Sequence, residues 1–291
     1  MSDRNKAFLS ILFGSLFGGA VTTVIKIGLI EIPPLTFSFL RFFIASIVLL
    51  PIIIKHKNIS AKKLKILAPF TLFATFNVIL FIFGIRYTTA TIGQLLYAGV
   101  PFLTGIITFM VFGDKLSSKK TFGIIIGFIG VAIVVLLPII EQGKQFSGNL
   151  TGNILIVAGV ISWSLYMVFS KKLSKEYSPF VINSAFILIT AFVLFPFSVF
   201  EFARENKWIS QLSLSGIVSL GYVAIFGTVL NYLLNQYAIK HGGSVFASTS
   251  FYLLPIFAFI AAFVLLSERL TLGLLIGGVL ALLGIYISTR K

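Results

Sequence analysis

FGDKLSSKKTFG, residues 112–123, and LSERLTLGLLIG, residues 266–277, decide how this chain is read. In each, a long apolar run stops at an acid, a base and a leucine, and a glycine-bearing apolar run follows. At a shift of 154 residues, Asp114-Lys115-Leu116 falls on Glu268-Arg269-Leu270 and Gly123 on Gly277. The same shift carries Gly130 onto Gly284, Pro101 onto Pro255, Arg86 onto Lys240 and Asn77 onto Asn231. Nearer the N-terminus a shift of 145 takes over, pairing Gly14 with Gly159, Lys26 with Lys171, Pro34 with Pro179 and Pro51 with Pro196. Chance could supply one proline pair. It does not readily align helix breaks, glycines and an acid-base-leucine turn together, so the chain reads as a duplication.

The runs between these marks set the fold class. A helix crosses a hydrocarbon core of about 30 Å with about 20 mostly apolar residues. Ten stretches qualify, near 7–29, 35–54, 66–85, 91–112, 119–138, 150–170, 180–200, 212–237, 244–266 and 271–288. Charge or turn chemistry separates them, as at Pro33-Pro34, Lys55-His56-Lys57 and Gly242-Gly243. A β-barrel would need strands of about 10 residues with strict alternation, and these runs are long and continuous. The expected fold is an all-α membrane protein of ten transmembrane helices. It divides into a first five-helix unit over 7–138 and a second over 150–288. Because five is odd, the second unit enters the membrane inverted relative to the first. Inverted repeats of this kind recur in secondary transporters.

Composition agrees with that class. The 291 residues are 58% hydrophobic and 11% charged, with a mean hydropathy of +1.06. That excludes a disordered chain, a coiled coil or a collagen-like rod. With no cysteine, disulfide scaffolds, thiolate metal sites and cysteine nucleophiles are excluded too. The net charge of +15 would suggest nucleic acid in a soluble protein. Here it reads as orientation. With the N-terminus in the cytoplasm, sixteen of the 23 Lys and Arg fall on the cytoplasmic side and six outside. Both termini are then cytoplasmic, and the first apolar stretch lacks a cleavable signal. The basic turns can also touch anionic lipid.

Together these residues resemble the EamA family of the drug/metabolite transporter superfamily. The resemblance rests on Gly14, Gly18 and Gly19 followed by Lys26, on Ile32-Pro33-Pro34-Leu35-Thr36 and on Leu40-Arg41-Phe42. It continues through Tyr87 to Ala90, Pro101, and Ser267-Glu268-Arg269-Leu270 with Gly277 and Gly284. The first half departs from the usual pattern, with Gly113-Asp114-Lys115 where a Gly-Glu-Arg turn is common. The resemblance implies two inverted five-helix halves around a cavity built by helices 1–4 and 6–9, with helices 5 and 10 peripheral. It implies transport of amino acids, other metabolites, choline-like cations or nucleotide sugars.

The candidate site comes from polar groups placed where lipid cannot satisfy them. Arg41 is the one charge inside a helix, where insertion costs about 2.5–3.5 kcal/mol at mid-helix. It is either a contact for an anionic group or a gate, or else a snorkelling arginine paired with a loop acid such as Glu31. No carboxylate or imidazole lies at membrane depth to act as a proton relay or to hold a metal, and no cofactor is implied. Substrate contacts are expected from Asn77, Gln94, Tyr97, Trp163, Tyr166, Asn231, Asn235, Ser248 and Tyr252; each is otherwise interhelical glue. Pro101 and Pro255 should kink helices 4 and 9, as hinges or as static packing kinks. Gly14 with Gly18, Gly123 with Gly127 and Gly273 with Gly277 have the spacing of close helix packing, within a monomer or between monomers.

The expected function is therefore a non-enzymatic secondary transporter. It would move a small neutral or zwitterionic organic solute, such as an amino acid, by alternating access in the cell membrane. The alternatives are a carrier of a choline-like quaternary ammonium held by an aromatic cage, and a membrane scaffold or lipid scramblase.

Overall fold

The computed structural model describes residues 2–57, 59–88, 90–114, 116–141, 149–266 and 272–289, with backbone alone at 90–92, 134–136, 138–141, 259–266, 272–275 and 289. Lys115, the 142–148 loop with Lys144 and the Ser267-Glu268-Arg269-Leu270 turn lie outside the described residues. Among those described, the chain is helical without strands.

The helices follow from their ends. Helix α1 covers Asp3–Glu31 and α2 covers Pro34–His56, with Pro34 in the first turn, where a missing N–H costs nothing. Helix α3 is Ala61–Tyr87, capped by the Ser60 hydroxyl, which accepts from Lys63 N at 3.3 Å. Helix α4 comes in two pieces, Ala90–Tyr97 and Val100–Phe112, and α5 is Ser118–Glu141. Asn149 caps α6, Leu150–Leu173, and Ser178 caps α7, Pro179–Arg204. After a short turn of helix at Trp208–Gln211, Ser213 caps α8, Leu214–Gly242. Helix α9 is Ser244–Ser248 followed by Ser250–Leu266, and α10 is Leu272–Thr289. Where chain direction changes abruptly, Gly113 and Gly243 adopt φ of 72° and 90°, angles that side chains with a Cβ resist.

Among the described residues, seven helices are long and apolar enough to cross a membrane: α1, α2, α3, Gly93–Phe112 of α4, α6, α7 and α8. Shorter apolar helices run over Ser244–Ala258 and Ile276–Ser288. Their outward faces are greasy, with Phe192 81% and Met110 75% exposed. Such surface is a liability in water and natural against lipid.

The packing is paired. Helix α1 lies along α8, and α6 lies along α3; α1 also meets α9 as α6 meets α4. Helix α2 packs on α7, and α5 on α10. Exchanging the first five helices for the last five reproduces this set of neighbours. The correspondence reaches individual atoms. A Cβ on Gly14 would lie 3.4 Å from Asn231 Oδ1 and 3.5 Å from Leu234 Cβ, and one on Gly159 would lie 3.4 Å from Asn77 Nδ2 and 3.5 Å from Leu80 Cβ. The α5–α10 contact is the closest. Gly123 faces the backbone of Ser288, Gly130 that of Ala281 and Gly284 that of Gly127, leaving no room for a Cβ.

Two regularities expected from sequence are corrected. Helix α1 is interrupted at Gly19-Ala20, and α8 widens into a π-helical turn over Val223–Leu230.

Candidate functional site

A cavity opens between α1, α2, α3, α4, α6, α8 and α9. With its open approach to solvent counted, it holds about 1040 Å³. Four helices lose their regularity where they reach it. Helix α1 breaks at Gly19-Ala20, α4 at Ala98-Gly99 just before Pro101, α9 at Thr249, and the π turn of α8 ends at Leu230. The cavity-lining residues Gly19, Tyr97, Ser250 and Asn231 lie in or directly beside these breaks. Glycine at the first break permits a close helix contact. A Cβ on Gly19 would sit 2.8 Å from Phe257 Cβ and 3.0 Å from the Ala258 backbone nitrogen, so only a bare backbone lets α9 come this close.

Asn77 and Asn231 both line the cavity, under different constraints. Asn77 Nδ2 donates to Tyr97 Oη at 2.6 Å and to the Gly159 carbonyl at 2.8 Å, locking α3 to α4 and α6. Asn231 makes no side-chain hydrogen bond among the described residues; its amide nitrogen sits against Gly18. The repeat explains the loss of one of the two partners. The residue matching Tyr97 is Phe251, which has no hydroxyl to offer. Tyr97 and Phe251 instead stack on each other across the cavity, ring centres 5.5 Å apart at 29°.

Arg41 is 4% exposed, enclosed by protein on nearly every side. Its Nη2 donates to Tyr232 Oη at 2.9 Å, its guanidinium carbon lies 4.7 Å from the Phe42 ring centre, and its Nε has no partner. Glu31 is engaged elsewhere, accepting from Ser213 N at 2.8 Å and Ser213 Oγ at 2.6 Å. Glu201 likewise accepts from Thr36 N at 2.6 Å and Thr36 Oγ1 at 2.8 Å. Among the described residues the recorded ion pairs are those of Asp3 with Lys6 and His241, far from Arg41 in the fold. A cation is thus enclosed at the cavity wall beside neutral groups.

Gln94, Trp163, Asn235 and Pro255 also line the cavity. Trp163 Nε1 and Asn235 Oδ1 are buried without hydrogen-bond partners. Other candidates are turned away. Tyr166 stands behind Trp163, accepting from Gln236 Nε2 at 2.9 Å. Tyr252 donates to the Ile124 carbonyl at 2.8 Å, against α5. Ser248 donates to Val245 O within its own helix, and Pro101 is buried in α4 outside the lining. Lys26 donates to the Thr88 carbonyl at 3.2 Å. The sequence reading passed over Tyr232, although it follows Asn231 directly and stands at the centre of an aromatic cluster with Phe42, Trp163 and Phe186. It passed over Phe81 and Thr22 as well, whose residue types carry no signal of a cavity.

Comparison with known proteins supplies the family. The EamA-like transporter family matches residues 5–136 and again 150–290. An uncharacterized transporter of Bacillus subtilis, YyaM, is 28% identical over 285 residues, 96% of this chain and 92% of its own length. An uncharacterized transporter of Archaeoglobus fulgidus is 27% identical over 98% of this chain and 99% of its own. An uncharacterized inner membrane transporter of Escherichia coli, YedA, is 28% identical over 96% of this chain and 93% of its own length. A crystal structure of a protein 16% identical superposes with a TM-score of 0.78 over 98% of this chain and 96% of that one, a likeness of fold. With its long apolar helices and these transporter relatives it is a multi-pass protein of the cell membrane, and the chain belongs to the EamA-like transporter family.

Proposed function

We propose that this chain is a secondary transporter that carries a small neutral or zwitterionic organic metabolite, such as an amino acid, by alternating access. The supporting observation is the cavity: amides, hydroxyls and one arginine enclosed by helices that break around it. Broken helices at a binding site are how transporters place polar backbone and side chains inside a membrane. The reading includes ten membrane-spanning helices in two inverted five-helix halves with both termini cytoplasmic. The neighbour exchange between α1–α5 and α6–α10 supports it, as do the matched Gly14–Asn231 and Gly159–Asn77 contacts.

In this scheme the halves rock about the cavity. The breaks in α4 and α9, near Pro101 and Pro255, absorb the bending, and the Tyr97–Phe251 stack is made and lost as the cavity changes sides. Among the described residues no carboxylate lines the cavity, which favours exchange, facilitated diffusion or coupling without a carboxylate relay. The cavity's groups bind a solute and leave its bonds alone.

The test is counterflow in proteoliposomes preloaded with an amino-acid and metabolite panel. Accelerated entry of a labelled panel member against its unlabelled form is expected, with loss in Asn77→Leu and Asn231→Leu. Lipid flip-flop without counterflow would establish the scramblase reading instead.

A further inference from the structure

Three unsatisfied polar atoms belong to residues on one wall of the cavity. Arg41 Nε and Trp163 Nε1 are donors without acceptors, and Asn235 Oδ1 is an acceptor without a donor. They come from α2, α6 and α8, and Tyr232 draws them together. Its hydroxyl accepts from Arg41 Nη2 at 2.9 Å, its ring lies 5.5 Å from that of Trp163, and it is three residues from Asn235 on the same helix face. Buried polar groups are normally paired within a fold; these three atoms are closed to water, so a ligand meets them once the lining side chains turn toward it. The chemistry of the set is specific: a planar guanidinium and an indole N–H for an anionic acceptor, and an amide oxygen for an N–H or O–H. The duplication sharpens the point. The position matching Arg41 is Phe186, an apolar residue that packs into the aromatic cluster. A charge at this place in the fold is therefore dispensable for packing.

Building on the transport reading, we propose that the cavity recognises its solute through a carboxylate. The carboxylate docks on the Arg41 guanidinium with Trp163 Nε1 as second donor, and Asn235 Oδ1 accepts from an N–H or O–H on the same solute. The solute class is a small monocarboxylate bearing a neighbouring donor, with an apolar body against Phe81, Tyr97 and Phe251. A quaternary ammonium is disfavoured, since it would face an unneutralised guanidinium in a poorly screened site.

The experiment is ligand-induced thermal stabilisation and Kd measurement on the full purified chain. The probes are the common amino acids and C3–C9 monocarboxylates, each matched with its amide and its amine, and choline. At least one acid is expected to bind, and at least tenfold more tightly than its amide. Arg41→Met should weaken that acid tenfold or more without lowering the Tm of the unliganded protein, since it removes an unpaired charge from the interior. Arg41→Lys should fall between. Asn235→Asp, which adds a carboxylate to the cavity lining that Arg41 shares, should abolish acid binding and raise affinity for the matched amine. Silence of every acid, equal binding of acids and amides, tighter binding of choline, or acid affinity unchanged in Arg41→Met or Asn235→Asp would each overturn the proposal. Counterflow keeps the two readings apart. Arg41-dependent acid binding without counterflow sinks transport and leaves the subsite; counterflow of a solute lacking a carboxylate does the reverse.

Discussion

Asn77 is held by Tyr97 and Gly159 while Asn231 has no such bonds, so the same substitution has two consequences. Interhelical hydrogen bonds in membranes average about 0.6 kcal/mol. Asn77→Leu removes two and should cost about 1 kcal/mol, a thermal shift of a few degrees in detergent. Asn231→Leu should leave the melt within about 0.5 kcal/mol, as ordinary surface substitutions do. Both should suppress counterflow, so the pair separates binding from glue by comparing two assays. At this scale the sequence is informative about polar residues that lipid cannot satisfy: Asn77, Gln94, Asn231 and Asn235 all reach the cavity. It is uninformative where a side chain has two equal uses. Tyr252 and Ser248 look like Tyr97 and Gln94 in a linear reading, yet one bonds the α5 backbone and the other its own helix. Direction around a helix decides this, and breaks at Thr249 and Ala98-Gly99 reset that direction.

Helices α1 and α8 carry the irregularities that periodicity hides. Gly18-Gly19 marks the break in α1, where the spacing of Gly14 and Gly18 predicts only close packing. The π turn of α8 has no comparable mark; inside it Thr228 Oγ1 donates to Val223 O, five residues back, at 2.8 Å. A π turn is one residue inserted into an α-helix. Deleting the lipid-facing Ile225 should remove that extra residue and close the turn into regular α-helix, with the two sides of α8 still in phase. Asn231, Tyr232 and Asn235 then keep their place at the cavity. The variant is expected to insert, purify and keep its ligand-induced thermal shift. At the α5–α10 contact, by contrast, substitution costs stability. Gly130→Leu forces a side chain into the Ala281 backbone and should destabilise by about 1–3 kcal/mol, while Ile129→Leu, 47% exposed on the same helix, should melt like the parent.

Across the whole molecule the +15 charge predicts an orientation in the membrane. The chain has no cysteine, so single introduced thiols report topology without background. Lys57→Cys and Lys175→Cys should resist an impermeant maleimide in intact cells and react after permeabilisation. Lys207→Cys should react in intact cells. The opposite pattern would invert the molecule in the membrane and remove the positive-inside argument. The duplication shows in the sequence at this scale because turns and glycines repeat in register. The cavity does not show, because it is enclosed by seven helices whose contacts are non-local.

The unequal halves bear on energetics. In a carrier built of two identical inverted units, the outward-facing and inward-facing forms would be mirror images of one free energy. Gly18 opposite Trp163, Arg41 opposite Phe186 and Tyr97 opposite Phe251 would remove that degeneracy at the cavity itself. In the proposed alternating-access cycle one form would then predominate at rest, and half-saturation on the two faces would differ. For an uncoupled carrier, detailed balance still requires equal Vmax/KM in the two directions. The affinity difference must therefore be matched in turnover, so that transport starting from the tighter-binding face is also the slower.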